Sequence, residues 1–247
     1  MIGIIGYGMV GKAVDYGFSK TTAIVVDPQY TTTTIEQLAA SKPEAVFVCV
    51  PTPDGDNFQI IRRTLHELRR HYDGIVIVKS TVPDKYIRPY DVVFNPEFLS
   101  RATSLVDFVN PPFTIFGGDV KLCKQAIEVY NKYSVVDMTN THIIDMATAA
   151  LLKYTLNSFF ALKVTFMNEV YDGAQHVQAD YNKLIEIIGT HPWVGDYHLQ
   201  VPGPDGERGF GGPCLPKDTR AFTEHYGSEL LPAAIKVNKR IRGNDGY

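Results

Sequence analysis

The chain has 247 residues, 24 Lys and Arg against 27 Asp and Glu for a net charge of −3 at pH 7, and 45% hydrophobic residues. That length and balance suit a globular protein of two cored domains, and they lack the basic excess that nucleic acid or an anionic membrane surface requires of a partner, so neither is expected. Its three cysteines, Cys49, Cys123 and Cys214, form no CxxC pair and no zinc spacing, so no metal site is expected.

Strands and helices alternate through the first half. Ile2 to Ile5 reads as a strand, Met9 to Ser19 as a helix, Ala23 to Val26 as a strand and Ile35 to Ala40 as a short helix. Ala45 to Val50 is a continuous apolar run, as in a strand covered on both faces. Phe58 to His71 carries Ile61, Leu65 and Leu68 at helical spacing. Strands follow at Ile75 to Val78, Asp91 to Phe94 and Phe113 to Phe116, then a helix near Val120 to Lys132 and a last strand near Val135 to Met138. The alternation predicts an α/β fold, a Rossmann-type doubly wound parallel sheet. Beyond it, Thr141 to Gln175 reads as one long helix or two stacked ones, with shorter helices at Asn182 to Ile188 and Leu230 to Arg242. The expected domains are residues 1–137, a dinucleotide-binding unit, and 138–247, a helical one. The opening strand lacks the basic leader and long apolar core of a signal peptide, and no apolar run is long enough for a membrane span. With sparse, odd-numbered cysteines, this predicts a cytoplasmic protein whose thiols stay reduced.

Gly6-Tyr7-Gly8-Met9-Val10-Gly11 sits between a strand and a helix. The glycines serve a tight turn, a close approach to a pyrophosphate and helix–strand packing, and the helix N-terminus offers N–H donors to phosphates. Asp27 closes the second strand, where an acid hydrogen-bonds a ribose hydroxyl and repels a 2′-phosphate. The expected cofactor is therefore NAD, with Gly6, Gly8, Met9, Val10, Gly11 and Asp27 as its contacts. Pro51-Thr52-Pro53 and Ser80-Thr81-Val82 follow two further strands, where open α/β sheets bind ligands, and are candidates to line the same cleft. Proline-terminated strands account for these residues equally well when taken alone.

A second constellation lies near the other end. Cys214 stands in Gly209-Phe210-Gly211-Gly212-Pro213-Cys214-Leu215-Pro216-Lys217-Asp218. Glycines open the backbone to a ligand, and a nearby cation favours the nucleophilic thiolate. A dinucleotide cofactor and a poised thiol together imply oxidation through a covalent sulfur adduct. Lys153 and Asn157 are four apart in the long helix and share a face, while Asn95-Pro96-Glu97-Phe98-Leu99 sets a carboxylate just past a strand. By themselves, an exposed Lys–Asn pair and a turn acid explain these residues.

These segments, with Lys79 to Pro83 and Asn168-Glu169, resemble the UDP-glucose/GDP-mannose dehydrogenase family in order and spacing over nearly the whole chain. The resemblance implies a four-electron, two-NAD oxidation of a nucleotide-sugar C6 alcohol through a thiohemiacetal and a thioester on Cys214. It assigns Lys153 and Asn157 to the oxyanion, Asp218 and Thr81 to the water, and Glu97 to acid–base work. It gives the sugar to Glu97, Phe98, Leu99, Lys153, Asn157 and the backbone of Phe210 and Gly211. The run Val201 to Gly206 favours UDP-glucose, oxidised to UDP-glucuronate. GDP-mannose or another nucleotide sugar is the alternative, and an NAD-binding module without catalysis a second. A homodimer through the helical segment is also implied.

Three departures stand out. The family continues into a second Rossmann-like domain that holds the nucleotide, whereas this sequence stops at Tyr247, within the expected connecting helix, as a minimal or a truncated enzyme. Arg101 takes the place of an acid after the Pro-Glu-Phe-Leu motif, and Trp193 that of an arginine reaching the partner subunit's substrate. Arg208 and His198 are the candidates to replace that phosphate contact.

Overall fold

The structure is a computed structural model that describes residues 1–55 and 57–243; Tyr247 lies outside the described residues. Packing separates two compact units, one ending at Lys153 and the other beginning at Tyr154.

The first unit is a seven-stranded sheet, β1 (Ile2–Ile5), β2 (Ala23–Val26), β3 (Ala45–Val48), β4 (Ile75–Val78), β5 (Val93–Phe94), β6 (Thr114–Gly117) and β7 (Thr141–Ile144), in the order β2-β1-β3-β4-β5-β6-β7. Between them lie α1 (Met9–Gly17), α2 (Ile35–Ala40), α3 (Gln59–His71), α4 (Ser104–Val109) and α5 (Val120–Tyr133). The period-two alternation of apolar residues feeds both faces. Val46, Val48, Val76 and Val78 join α2 and α3 residues in one core, while Ala45, Phe47 and Ile77 join Val14, Phe108 and Tyr130 in the other. Thr34 starts α2 with a reciprocal capping box to Gln37. β1 lies between β2 and β3, so the chain reverses its direction of winding there, and the carboxyl ends of β1 and β3 are the place where sheets of this topology bind ligands.

Two expectations for this unit need correction. The sheet is parallel except that β5 and β6 pair antiparallel at Phe94 and Gly117: the segment through α4 brings the chain into β6 at the same edge of the sheet where β5 ends. Nor is Val135 to Met138 a strand. The Val135 and Asp137 amides instead donate to the carbonyls of Gly17 and Val109, beside the ends of α1 and α4, and the seventh strand forms six residues later. β7 and the start of the next helix then pack onto the sheet, with Met146, Ala149 and Ala150 in its core. Packing therefore divides the chain inside that helix.

The helix in question, α6 (Met146–His176), is a single one of 31 residues. In the second unit it is followed by α7 (Tyr181–Gly189), α8 (Leu215–Tyr226) and α9 (Leu230–Arg242). Met167 and Ala174 on α6 pack with Tyr181, Leu199 and Val201, and the Tyr181 hydroxyl donates to the Leu199 carbonyl at 2.5 Å. α8 occupies what reads from sequence as loop. Pro216 is its second residue, where a missing N–H is harmless because no intrahelical acceptor exists for it. α8 and α9 pack against each other.

Candidate active site

The glycine loop between β1 and α1 has the geometry its spacing predicts. Gly6 has φ +90°, and a Cβ there would lie 2.7 Å from the Cys49 carbonyl oxygen at the end of β3. A Cβ on Gly11 would lie 2.1 Å from the Gly6 carbonyl oxygen, so helix and strand touch backbone to backbone. A Cβ on Gly8 would meet nothing within 4 Å, which marks the open side of the loop. Gly8 is the N-cap of α1 and supplies no side-chain cap. The first amides of α1 therefore lack the usual side-chain acceptor. Asp27 braces the loop, its Oδ2 accepting the Tyr7 N–H at 2.6 Å and its Oδ1 the Gln29 N–H at 2.9 Å. Its carboxylate thus sets the path of the glycine loop as well as presenting an acceptor at the end of β2.

The other candidates in this unit differ in exposure. Pro51 and Pro53 are exposed and Thr52 is buried. Ser80 donates from Oγ to the Val50 carbonyl at 2.6 Å, tying the segment after β4 to the one after β3. The Val82 side chain is enclosed in the first core. Thr81 is buried, with no side-chain hydrogen bond to Glu97 or Lys153 among the described residues.

Glu97 and Lys153, 56 residues apart, are brought together. Lys153 Nζ donates to the Glu97 carbonyl at 2.7 Å, stands 3.5 Å from its Oε1 and lies 5.1 Å from the centre of the Phe98 ring. Glu97 Oε2 accepts the Leu99 N–H at 2.7 Å, so the carboxylate also shapes its own loop. Both side chains are over nine-tenths buried, and the ammonium carries donors for a developing oxyanion. Beneath this pair lies a group that the sequence motif contains but does not explain. Lys79 is buried and donates to Asn95 Oδ1 at 2.8 Å, which also accepts the Tyr130 hydroxyl at 2.6 Å. Burial pulls the Lys79 ammonium down to about 8 and pushes the neighbouring Cys49 thiol up to about 12, which makes Cys49 an unreactive thiol.

In the second unit Cys214 is the N-cap of α8 and is partly exposed. A helix N-terminus stabilises an anion at its cap, and this favours thiolate. Lys217, the cation nearest in sequence, points instead to Asp218, with its Nζ 2.5 Å from Oδ1. Asp218, one turn into α8 and 1% exposed, accepts at Oδ2 from Asn157 Nδ2 at 2.6 Å. Asp218 is tied to Asn157 by its side chain and to Cys214 by the first backbone bond of α8, its N–H donating to the Cys214 carbonyl at 2.9 Å. The two candidates for a replacement phosphate contact are otherwise engaged. Arg208 donates to Asn168 Oδ1 at 3.2 Å and to Asp172 at 2.6 Å. His198 stacks on Phe160 with ring centres 4.7 Å apart, and burial holds its imidazole below the usual histidine range. Trp193 is 91% exposed, and Arg101 is exposed as well.

Comparison with known proteins decides the family. The model of the UDP-glucose/GDP-mannose dehydrogenase family's NAD binding domain matches residues 20–134, and that of its central domain matches residues 147–240. The chain belongs to this family. It is 30% identical over 230 residues to UDP-glucose 6-dehydrogenase of Rhizobium meliloti, covering 84% of this chain and 51% of that protein. It is 30% identical over 218 residues to UDP-glucose 6-dehydrogenase of Rickettsia bellii, covering 79% and 49%. A UDP-glucose dehydrogenase structure from Pyrobaculum islandicum superposes with a TM-score of 0.81 at 25% identity, over 97% of this chain and 68% of that one. The chain spans about half the length of the curated relatives it matches.

The cofactor of this family's first domain is NAD, and the loop fits it: the space over Gly8, the uncapped start of α1 and the Asp27 carboxylate supply the three contacts a dinucleotide needs. Among the described residues no group of His, Cys, Asp and Glu is arranged to hold a metal, and no helix is long and apolar enough to cross a membrane. Sequence reasoning gave no role to Lys79, Asn95, Asn168, Asn238 or Arg242. For Asn95 a signal existed, an amide at a strand end beside proline. For Asn238 and Arg242 the only signal is their four-residue spacing on an otherwise amphipathic helix.

Proposed function

We propose that the chain oxidises the C6 alcohol of a nucleotide sugar to the carboxylate, with UDP-glucose the first choice of substrate and UDP-glucuronate the product. One observation carries the reading: a partly exposed thiol caps α8, and one turn below it a buried Asp218 is bonded to Asn157. Helix dipole, general base and amide donor are what a thiol needs to attack an aldehyde, hold the adduct and admit water. Gly6 to Gly11 and Asp27 would hold NAD, which when bound supplies the hydride acceptor; two NAD molecules are needed in succession, one for the alcohol's hydride and one for that of the sulfur adduct, and the alcohol's O–H proton leaves through Glu97. Lys153 and Asn157 donate hydrogen bonds to the oxygen as it gains charge. Cys214 Sγ forms a bond to the aldehyde carbon, and its proton passes to the oxygen, giving a thiohemiacetal. Loss of the second hydride and the hydroxyl proton leaves a thioester. Asp218 and Thr81 orient a water and Asp218 takes its proton; the water's oxygen bonds to the acyl carbon, and the C–S bond breaks to return the thiolate. Glu97, hydrogen-bonded to its own loop, relays protons and holds Lys153 in place.

The same reading extends to assembly and compartment. Phe159 and Phe166 stand 57% and 63% exposed, seven residues apart on one face of α6, which suits a homodimer. None of the three cysteines is disulfide-bonded, which suits the cytoplasm.

The test is stoichiometry. With UDP-glucose and excess NAD, absorbance should record two NADH for each UDP-glucuronate formed. Cys214→Ser should lower carboxylate formation by on the order of a thousandfold or more, with NAD affinity intact. Turnover by Cys214→Ser at the parent rate would remove sulfur from the reaction. A panel with GDP-mannose and N-acetylated UDP sugars separates UDP-glucose from its rivals, and NAD binding without oxidation of any of them would leave a cofactor-binding module.

A further inference from the structure

The backbone of Arg208, Gly209 and Phe210, just ahead of Gly211 and Cys214, is gripped by side chains from helices far away in sequence. Asn238 on α9 is 2% exposed; its Oδ1 accepts the Phe210 N–H at 2.7 Å and its Nδ2 donates to the Phe210 carbonyl at 2.9 Å. One turn later, Arg242 donates from Nη1 to the carbonyls of Arg208 and Gly209, each at 3.2 Å, and from Nη2 to Asp205 at 2.5 Å. From α6, Asn168 Oδ1 accepts the Gly209 N–H at 3.1 Å. The glycines match this grip. Gly209 has φ +74°, and a Cβ on it would lie 2.4 Å from Asn238 Oδ1; a Cβ on Gly211 would lie 2.4 Å from Arg242 Nη2.

A loop that only connects two helices has no need of five side-chain bonds to three residues. Such a hold fixes a conformation in advance, which lowers the entropy lost when a ligand binds to the backbone it presents. Phe210 is buried with its N–H and carbonyl both held by Asn238, so the backbone left to present is that of partly exposed Gly211. We propose that Asn238 and Arg242 are positioning residues that, by holding Arg208 to Phe210, fix the Gly211 backbone for the hydroxyl groups of a sugar, and so set the affinity for the sugar nucleotide. This rests on the reaction proposed above. Neither side chain takes part in a chemical step.

Steady-state kinetics of the 247-residue chain test it, with Asn238→Asp as the first variant. A carboxylate still accepts the Phe210 N–H but repels its carbonyl. The sugar-nucleotide KM should rise about tenfold, with kcat within about threefold and the NAD Kd unchanged. If circular dichroism shows that Asn238→Asp does not fold, Arg242→Lys and Arg242→Met replace it. Lysine keeps the charge and part of the carbonyl contact, so its KM should lie between those of the parent and Met. An unchanged sugar-nucleotide KM, or a parallel loss of sugar and NAD affinity, would overturn the proposal. If the parent oxidises no nucleotide sugar, the reaction itself fails, and the clamp is then judged by equilibrium binding of UDP-glucose. Equal affinity in parent and variant, or binding by neither, overturns it.

Discussion

The glycine loop after β1 and the loop before Cys214 are both rich in glycine, yet they are built by different means. The first is set chiefly by backbone against backbone, with Asp27 as a side-chain brace at Tyr7: Gly6 lies against the Cys49 carbonyl and Gly11 against the Gly6 carbonyl, all within one β–α–β neighbourhood. The second is set by side chains, with Asn168, Asn238 and Arg242 reaching it across 28 to 41 residues. A ligand made of phosphates suits the first design, because N–H groups at a helix start are enough to bind it. A ligand defined by the positions of hydroxyl groups suits the second, because a backbone must be held still for them to be told apart.

The sharpest way to break this contrast is to add a methyl group at two glycines of the first loop. Gly11→Ala should cost both fold stability and NAD affinity, each by about 1–3 kcal/mol, because its Cβ meets backbone at 2.1 Å. Gly8→Ala should leave the melting temperature within error while weakening NAD by about tenfold or more, because its Cβ meets no protein atom and intrudes only on the phosphate approach. Calorimetry of binding and thermal unfolding, run side by side, decide it. If Gly8→Ala binds NAD as the parent does, the pyrophosphate does not pass over that residue.

Just past the second loop, where α8 meets α6, the matching experiment removes a side chain. Asn157→Ala takes the Nδ2 donor from Asp218, which is 1% exposed and keeps Lys217 as a side-chain partner. A buried carboxylate that loses one hydrogen bond should destabilise the chain by about 1–3 kcal/mol in urea unfolding. NAD affinity should not move. A variant as stable as the parent would mean that Asp218 is not held by Asn157 in solution.

The same contrast explains what could be read from the sequence. β1, β2, α2 and β4 fall where the apolar pattern puts them, because local period and local punctuation specify each one. The glycine fingerprint was legible for the same reason, since all its parts lie within some twenty residues. α8 was hidden because Pro213 and Pro216 read as loop, although a proline in the first turn suits a helix start. The last strand was misplaced because Val135 to Met138 has the apolar content of a strand, while its amides are claimed by the ends of two helices. Asn238 and Arg242 could not be singled out: an Asn and an Arg four apart on an amphipathic helix look like a solvated face until the loop they hold is folded against them. The pairing of Asn157 with Asp218 was equally invisible, for it spans 61 residues.

Lys79 is a buried side-chain tie within the first unit, and it gives the most specific prediction. Its ammonium is buried among Asn95, Tyr130 and Phe108, with Cys49, Glu97 and Lys153 the ionisable groups whose charges reach it. Burial lowers its folded-state value from 10.5 to about 8. Between those two values the unfolded chain holds a proton that the folded chain lacks, so this residue makes stability rise with pH from about 8 to 10.5. Below about 8 both states are protonated and the full penalty of a buried charge persists. Lys79→Met removes the penalty and the slope together. The Cys49 thiol and the Tyr130 hydroxyl, both raised by burial, oppose the slope at higher pH but do so in parent and variant alike. Urea unfolding at pH 7 and pH 10 should therefore show the parent gaining on Lys79→Met by about 2–3 kcal/mol. A difference that stays flat between the two pH values would mean that the ammonium reaches solvent, and that the network joining β4, Asn95 and Tyr130 is open to water rather than closed beneath the Glu97 loop.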